Sequence, residues 1–437
     1  MNKLTVIGGG LAGCEAAYAA ANRGIEVELL EMKPAKKTAA HKSDNLAELV
    51  CSNSLKASRV DSAAGLLKEE MRRLGSVCLA AADRSAVAAG GALAVDRDIF
   101  SKLITEKIKS HPNITVTERL VTEIPQSGIT VIATGPLTDD ALAEKLAGLC
   151  DGGNLSFYDA AAPIVTAESV DMSKAFFASR YDKGGDDYIN CPMNKEEYTA
   201  FYHELINAES APLHGFDKAP NVYEGCMPIE VLAKRGEDSI RFGPLKPVGL
   251  RDPRTGHRPW AAVQLRRENA AATLFNIVGF QTNLKFSEQK RVFSMIPGLE
   301  NAEFMRCGVM HRNTFINSPK MLNRNLSLKA DKNIFIAGQL SGVEGYMESA
   351  ASGIIAGINA AAEITGEKPL VLPETTMTGA LLSYITNPLT ENFQPMGANF
   401  GIIPPLEAHI RDKRERYAAL AARALGILAE NIKTEEI

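Results

Sequence analysis

Two cysteines of the chain lie in sequence contexts that are typical of loops rather than of a hydrophobic core. Cys51 lies in the segment ELVCSNSLK, where small polar residues and Lys56 follow it. Cys226 lies in VYEGCMPIE, between Gly225 and Pro228. A thiolate is a strong nucleophile, so either side chain is a candidate reactive thiol. The alternative is that each is a small buried hydrophobe, as free cysteines often are. We expect that second role for the remaining cysteines, which are Cys14, Cys78, Cys150, Cys191 and Cys307.

A glycine-rich segment near the start of the chain has the pattern of a dinucleotide site. Residues 4–31 read LTVIGGGLAGCEAAYAAANRGIEVELLE, which predicts a strand, a tight turn, a helix of small residues and a second strand ending in an acid. In this pattern the helix N-terminus faces a pyrophosphate, and Glu31 is placed to hold a ribose hydroxyl. A glycine-rich turn without a ligand is the alternative, but strand, helix and acid all have the required spacing. The predicted contacts are Gly8, Gly9, Gly10, Leu11, Ala12, Gly13 and Glu31.

A second segment, residues 333–357, indicates which dinucleotide binds. It reads NIFIAGQLSGVEGYMESAASGIIAG, which predicts a strand, a turn at Gly338 and Gln339, and a helix. This segment resembles the C-terminal motif of FAD-binding proteins of the glutathione-reductase type, and Thr130–Gly135 (TVIATG) resembles their short ATG segment. Many of those proteins have an aspartate where this chain has Gln339, whose amide can still bond ribityl or phosphate oxygens. The resemblance implies FAD, with Gly135, Gly338 and Gln339 as further contacts.

The composition argues against several classes of protein. A chain of 437 residues with 45% hydrophobic and 23% charged residues is ordinary for a globular protein of two domains. No apolar run reaches the length of a membrane span, and the first predicted strand begins at Leu4, which leaves no room for a signal peptide. The seven cysteines include no CxxC pair, which argues against a disulfide framework or a structural zinc site. We therefore expect a cytoplasmic protein with no membrane association and no metal.

The sequence pattern changes twice along the chain. Residues 1–162 are predicted to form the first part of an FAD-binding domain, and residues 163–318, which are irregular and basic, an inserted domain. Residues 319–437 are predicted to complete the FAD-binding domain and to end in an amphipathic helix over 406–432. The predicted fold class is α/β, a glutathione-reductase-type FAD-binding Rossmann domain with an inserted α/β or α+β domain. A further helix is predicted with Asp61 as its N-cap.

The inserted domain contains the basic part of the chain. Residues 231–330 carry 17 lysines and arginines against 7 aspartates and glutamates, although the whole chain has a net charge of −4. One basic segment on an acidic protein is the pattern expected where a single face meets a polyanion. The stretches GLRDPRTGHRPW and CGVMHRNTFINSP add an aromatic residue to the positive charge, which suits phosphate contact and base stacking. The alternative is that the arginines form local ion pairs or bind the cofactor's phosphates, and the charge count favours neither.

Several motifs together resemble one enzyme family over nearly the whole chain. GGGLAG at 8–13, CSNSLK at 51–56, YEGCMPIE at 223–230, RFGPLKPVGL at 241–250 and AGQLSGVEGYMESAASG at 337–353 resemble the bacterial folate- and FAD-dependent tRNA (uracil-5-)-methyltransferases. The resemblance implies that the chain forms 5-methyluridine in the T-loop of tRNA. It also implies 5,10-methylenetetrahydrofolate as the carbon donor, reduced FAD as the source of reducing equivalents, and NADPH or NADH as the reductant of the flavin.

The resemblance also implies a role for each of the two cysteines first noted. Uracil C5 is a poor nucleophile until a thiolate adds to C6, which makes an enolate that attacks a methylene iminium. A base must then remove the C5 proton, and a hydride must reduce the exocyclic methylene. By resemblance, Cys226 is the C6 nucleophile, and Cys51 is a second thiol near the flavin that assists proton transfer at C5. The target base must leave the folded tRNA to reach them.

Two other functions remain open from the residues alone. An FAD-dependent oxidoreductase acting on a small molecule would not bind tRNA and would not need Cys226. A non-catalytic RNA-binding flavoprotein would hold FAD tightly, and NADPH would not reduce it. The pair Cys51 and Cys226, together with the basic segment, favours the methyltransferase over both.

Overall fold

The computed structural model of the protein describes residues 3–38, 40–148, 155–182, 185–211, 227–308, 310–390 and 393–435. Its helices are α1 Leu11–Ala21, α2 Ala63–Arg73, α3 Val77–Arg84, α4 Arg97–Lys109, α5 Asp140–Gly148, α6 Lys195–Asn207, α7 Ile229–Ala233, α8 Glu237–Arg241, α9 Phe286–Phe293, α10 Ser318–Met321, α11 Tyr346–Thr365, α12 Met377–Thr386 and α13 Lys413–Glu435. Its strands are β1 Lys3–Ile7, β2 Glu26–Glu31, β3 Ser54–Ala57, β4 Ala86–Val87, β5 Ala92–Val95, β6 Ile114–Glu118, β7 Ile129–Ile132, β8 Leu155–Ala160, β9 Ile164–Thr166, β10 Phe176–Phe177, β11 Tyr188–Met193, β12 Ala261–Arg267, β13 Leu274–Ile277, β14 Phe304–Arg306, β15 Met310–Phe315 and β16 Ile334–Ile336.

A parallel sheet in the order β16-β7-β1-β2-β6 forms the centre of the first domain. Val6 on β1 pairs with Leu29 on β2 and with Val131 on β7, and all three side chains are buried. Strands covered on both faces need such aliphatic residues at successive positions. Segments before and after the inserted domain therefore contribute to one sheet, since β16 pairs with β7.

Helices α1 and α11 pack against each other over this sheet through small residues. A Cβ atom added at Gly353 would lie 2.2 Å from the carbonyl oxygen of Ala12, and one added at Gly357 would lie 2.3 Å from that of Ala16. Only glycine permits backbones to approach this closely. The two glycine-containing motifs, far apart in sequence, are thereby brought together.

The inserted domain has its own sheet and its own core. Its mainly antiparallel ladder runs in the order β10-β11-β12-β13-β9-β14, and its core includes Phe201, Phe275 and Phe293. The α/β fold class, with a Rossmann-type domain and an inserted domain, is confirmed. The boundaries at 162/163 and 318/319 stay predictions.

Two local predictions were wrong. Ser62, not Asp61, caps α2, since its hydroxyl oxygen accepts a hydrogen bond from the Gly65 amide at 3.1 Å, while Asp61 pairs with Arg59. The last helix begins at Lys413 rather than at 406, because Asp412 caps it there by accepting from the Glu415 amide at 2.8 Å. In the described part of the chain, no helix has both the length and the apolar character needed to cross a bilayer.

Candidate functional site

Two adjoining cavities lie at the carboxyl edge of the parallel sheet, where open α/β sheets bind ligands. Their empty volumes are about 640 Å³ and about 880 Å³. The first is lined by the turn after β1, by Glu31 at the end of β2, and by the segment after β7. The second is lined by the start of α1, by Gly338 and Gln339 after β16, and by Cys51. The two cavities share Gly10, His41, Glu48, Thr134 and Leu137, so they form one elongated site.

The turn between β1 and α1 has the geometry that its glycines predict. Gly8 has a φ of +100°, and a Cβ there would lie 2.6 Å from the carbonyl oxygen of Ala133. A Cβ on Gly13 would lie 1.8 Å from the Gly8 carbonyl oxygen, so this residue permits the helix to meet the turn. At Gly10, by contrast, a Cβ would meet no atom within 4 Å, because the residue faces the cavity. Gly10 therefore leaves the space that a phosphate group would need.

Glu31 lies at the floor of the first cavity, where a ribose was predicted. One carboxylate oxygen accepts a hydrogen bond from the Gly9 amide at 2.6 Å, and the other accepts from the Lys33 amide at 2.9 Å. The side chain is buried, so these amides fix its orientation. A carboxylate has about four acceptor positions, which leaves capacity for a ribose hydroxyl.

The second motif lines the second cavity from the other side. Gly338 has a φ of +76°, and a Cβ there would lie 3.0 Å from that of Ala12. The Gln339 side-chain amide donates to Glu344 at 2.8 Å, which leaves its carbonyl oxygen as a further acceptor. Gly135, with a φ of +71°, faces the same cavity.

These residues fit an elongated dinucleotide such as FAD. The glycine turn is open towards the cavity at Gly10, an acid lies at one end, and the second cavity at the other end holds a thiol. Of the predicted contacts, Gly13 lines neither cavity and acts through packing. The others, Gly8, Gly9, Gly10, Leu11, Ala12, Glu31, Gly135, Gly338 and Gln339, all line one cavity or both. That any of them contacts a cofactor stays a prediction.

Cys51 is the predicted catalytic residue that the structure brings into this site. It is half-buried and lines the second cavity beside Gln339 and Tyr346. The Tyr346 hydroxyl oxygen accepts hydrogen bonds from the amides of Cys51, at 2.7 Å, and Ser52, at 3.1 Å. Burial raises the pKa of Tyr346, which keeps its phenol protonated. The loop that carries the thiol is thus attached to the first turn of α11.

The remaining cysteines were predicted to be buried, and the structure confirms this for some of them only. Cys14, Cys78 and Cys191 are buried, as predicted, and burial raises the pKa of each thiol. Cys307 was predicted to be a core residue, but it is only partly buried because it follows β14, the edge strand of the inserted sheet. Cys150 and the predicted nucleophile Cys226 lie outside the described residues.

Several residues of the site were not predicted from the sequence. His41 and Glu48 lie where the two cavities meet, and burial lowers the pKa of His41. They belong to an irregular segment after β2 that has no recognisable motif. Tyr346 falls within a motif quoted above, but nothing in its type or spacing distinguished it. No cluster of histidine, cysteine and acidic residues suited to a metal ion occurs among the residues described.

Many cations of the basic segment form local ion pairs, which was the alternative interpretation of its charge. Arg254 forms a bidentate salt bridge with Asp252, with hydrogen bonds of 2.8 and 3.0 Å. Further pairs link Arg241 to Asp238, Lys285 to Glu209, Arg291 to Glu204 and Glu288, and Arg324 to Glu374. Strand β15 carries His311 and Arg312, whose side chains lie outside the described part of the structure.

The fold and the cavities define a protein of the Rossmann-type FAD-binding class. Two crystal forms of Aquifex aeolicus GidA share this fold, with TM-scores of 0.69 and 0.70 and 17% and 18% sequence identity. They cover 98% of this chain, which corresponds to 73% and 76% of the GidA chains. Residues 3–368 match the family model described as "Glucose inhibited division protein A".

Curated relatives narrow the assignment. The chain is 57% identical over 436 residues to a methylenetetrahydrofolate--tRNA-(uracil-5-)-methyltransferase TrmFO of Lactobacillus gasseri, covering 100% of this chain and 99% of the relative. It is 58% identical over 429 residues to the protein of that name from Acetivibrio thermocellus, covering 98% of each. The chain therefore belongs to the GidA family and, within it, to the methylenetetrahydrofolate--tRNA-(uracil-5-)-methyltransferases.

Proposed function

We propose that the chain methylates uridine C5 in the T-loop of tRNA with the methylene carbon of 5,10-methylenetetrahydrofolate. The observation that carries this proposal is the 57% identity over the full length to relatives named for that activity. The geometry adds a half-buried thiol, Cys51, on the wall of a cavity suited to a dinucleotide. We have no observation that favours a small-molecule oxidoreductase or a non-catalytic flavoprotein.

FAD, when bound, would supply the reducing equivalents that convert the transferred methylene to a methyl group. The glycine turn Gly8–Gly13 and Glu31 would hold its pyrophosphate and ribose, while Gly338 and Gln339 would lie near its other end. NADPH or NADH is the reductant in this proposal, as the family resemblance implies.

Cys226 and Cys51 have separate roles in the proposal. The Cys226 thiolate adds to uracil C6 and makes C5 nucleophilic, and Cys51 takes the proton from C5. The chain after Cys226 continues into the short helix α7, whose Glu230 makes buried contacts. Glu230 accepts hydrogen bonds from the Asn283 amide and from the Thr282 hydroxyl, each at 2.8 Å, and so anchors α7 to the segment before α9.

We also propose a tRNA-binding surface on the inserted domain, formed by residues 241–250 together with Tyr181. The side chains of Phe242 and Tyr181 are 63% and 56% exposed, which is unusual for aromatic rings. The Arg241 guanidinium lies 4.7 Å from the centre of the Phe242 ring. Tyr181 is attached to the segment because its amide donates to the Gly249 carbonyl at 2.9 Å. Exposed rings beside cations suit unpaired bases and phosphates.

Binding of unmodified tRNA at several salt concentrations tests this surface. Phe242→Ala should weaken binding about fivefold or more at every salt concentration, because a stacked base contributes about 1–3 kcal/mol. Lys246→Ala should lower the slope of log affinity against log salt by about 1. Lys285→Ala is the matched control, since this exposed cation of the same domain already pairs with Glu209. Wild-type affinity and slope in both test variants would contradict the surface.

Carbon transfer tests the activity itself. The FAD-loaded protein is incubated with an unmodified tRNA transcript, NADPH and methylenetetrahydrofolate labelled in its methylene carbon. We expect label at C5 of the T-loop uridine, and none without folate. Cys226→Ala should keep FAD and tRNA binding but lose the transfer, and substantial remaining activity would contradict its role as nucleophile. Oxidation of NADPH without any label in tRNA would favour a small-molecule oxidoreductase.

A further inference from the structure

The loop that carries Cys51 is held through its backbone by two arginines from other elements. Arg97, the first residue of α4, donates to the carbonyl oxygen of Leu49 at 2.7 Å and to that of Cys51 at 3.1 Å. Arg306, the last residue of β14, donates to the carbonyl oxygen of Val50 at 2.5 Å. Three successive carbonyl groups of the loop therefore face guanidinium groups.

A third arginine, Arg266 on β12, holds the side chains that follow the thiol. Its guanidinium donates to the Ser52 hydroxyl at 2.9 Å and to the Asn53 side-chain carbonyl at 3.1 Å. Asn53 is fully buried and donates in turn to the carbonyl oxygen of Val95 at 3.0 Å. Arg266 is itself 7% exposed, and a buried guanidinium is costly unless such contacts compensate it.

The charges around the Cys51 loop are mainly positive. Glu268 pairs with Arg97, which favours its charged form. Burial has the larger effect and raises the pKa of the Glu268 carboxyl, so its negative charge is disfavoured. The Glu48 carboxylate accepts hydrogen bonds from the amides of Lys42 and Ser43, and these two donors partly offset its negative charge. The charged and titratable groups that face the loop are Arg97, Arg266, Glu268, Arg306 and Tyr346, with Glu48 and His41 on the wall of the second cavity.

We propose that Arg266 and Arg306 of the inserted domain are positioning residues for Cys51, which hold its loop against the dinucleotide cavity and favour its thiolate. A nearby positive charge stabilises a thiolate relative to the thiol. Both guanidinium groups interact electrostatically with Cys51. The catalytic meaning of this arrangement rests on the proposed function, in which a thiolate at this position accepts the C5 proton.

Alkylation of Cys51 at different pH values measures the proposed effect directly. The FAD-loaded protein is treated briefly with iodoacetamide between pH 6 and pH 10 and then digested with trypsin. The peptide of residues 43–56 contains Cys51 and no other cysteine. Arg266→Met should raise the midpoint of the pH profile, so that alkylation at pH 7 slows by about tenfold, as expected for the loss of one nearby charge. Arg266→Lys keeps the positive charge but loses the guanidinium that makes both hydrogen bonds, so the shift of the alkylation midpoint should be smaller.

Other variants decide whether the effect is specific. Arg306→Met is the second test and should shift the midpoint in the same direction by less, because Arg306 makes one contact where Arg266 makes two. Arg258→Met is the matched control, since Arg258 is an exposed arginine of the same domain. Cys307, in the peptide of residues 307–312, serves as an internal standard for Arg266→Met.

The possible outcomes separate this inference from the proposed function. Unchanged midpoints in Arg266→Met and Arg306→Met, with flavin absorbance retained, would overturn the inference. So would an equal shift in Arg258→Met, or equal shifts in Arg266→Lys and Arg266→Met, because the charge would then not be the cause. If Arg266→Met loses its flavin, the alkylation midpoint of Arg306→Met alone tests the inference. A failure of carbon transfer in the wild-type protein would overturn the proposed function without altering these alkylation profiles.

Discussion

Cys14 and Cys51 have different surroundings, one in the core of the parallel-sheet domain and the other on the wall of the second cavity. The Cys14 thiol points into the core, where it donates to the Gly9 carbonyl oxygen at 3.4 Å. Burial raises its pKa, and the charges of Glu31 and Glu15 raise it further. Cys51 lies on the cavity wall, and the charges that the inserted domain adds there belong mainly to guanidinium groups.

The environment of each thiol depends on which domain surrounds it. The parallel-sheet domain alone surrounds Cys14 with apolar residues and carboxylates, which keep the thiol protonated. The loop of Cys51 follows the same sheet, but its environment is completed by Arg266 and Arg306 of the other domain. A folate-dependent methyltransferase built this way would keep one thiol inert beside the cofactor and another reactive.

Substitution of each thiol in turn should separate their roles in carbon transfer most strongly. Cys51→Ala should lower carbon transfer to tRNA by about 100-fold or more, the range typical of a lost general base, with flavin and tRNA binding retained. Cys14→Ala should leave the transfer rate within about twofold of wild type and lower the free energy of unfolding by about 1–2 kcal/mol, since it removes a buried atom. The measurements are the single-turnover rate of label transfer and urea unfolding. Similar losses of activity in both variants would mean that the two thiols do not differ in function.

The glycine turn, which the Cys14 thiol contacts at Gly9, can be disturbed directly. Gly13→Val would place a Cβ 1.8 Å from the Gly8 carbonyl oxygen, so α1 must move away from the turn. We expect loss of most bound flavin and a free energy of unfolding lowered by several kcal/mol, on the order of other overpacked sites. Thermal unfolding and flavin absorbance measure both. Gly426→Ala is the control, because a Cβ there meets no atom within 4 Å in the middle of α13, and alanine favours helix by about 1 kcal/mol.

The elements that position the glycine turn could be predicted because their signals are local. The first strand was predicted to begin at Leu4 and begins at Lys3, since each residue from Leu4 to Ile7 is apolar or β-branched and suits a strand. The start of α13 could not be predicted as well, because apolar spacing continues into a segment that lacks helical structure before Asp412. Asp61 and Ser62 are both common N-cap residues, and only the geometry shows which one faces the Gly65 amide.

The site could be predicted only where its residues are close in sequence. The glycines and Cys51 stand in recognisable segments, whereas Tyr346 is 295 residues away from the loop it holds. Arg266 and Arg306 belong to a segment whose charge left a polyanion-binding face and local contacts as equal alternatives, and their guanidinium groups are directed inward to Ser52 and Val50. Sequence gives the number of such charges, but only packing decides which of them face solvent.

A change at Glu15 tests the buried surroundings of Cys14 through the pH dependence of stability. Glu15 accepts hydrogen bonds from the amides of Val77 and Cys78, each at 3.1 Å, and burial raises its pKa from 4.5 to about 7. Because the folded carboxyl keeps its proton where the unfolded one has lost it, its contribution to stability is fully present below about pH 4.5. That contribution is lost as the pH rises through about 7.

Glu15→Gln should remove this dependence. The free energy of unfolding of the wild type, measured in urea relative to Glu15→Gln, should therefore fall between about pH 4.5 and pH 8, by at most about 3 kcal/mol. Glu28→Gln is a suitable control, because this partly exposed carboxylate pairs with Lys3 and its pKa is lowered rather than raised. A difference that does not vary with pH would mean that the Glu15 carboxyl is charged throughout this range, so that its charge adds to burial in keeping the Cys14 thiol protonated.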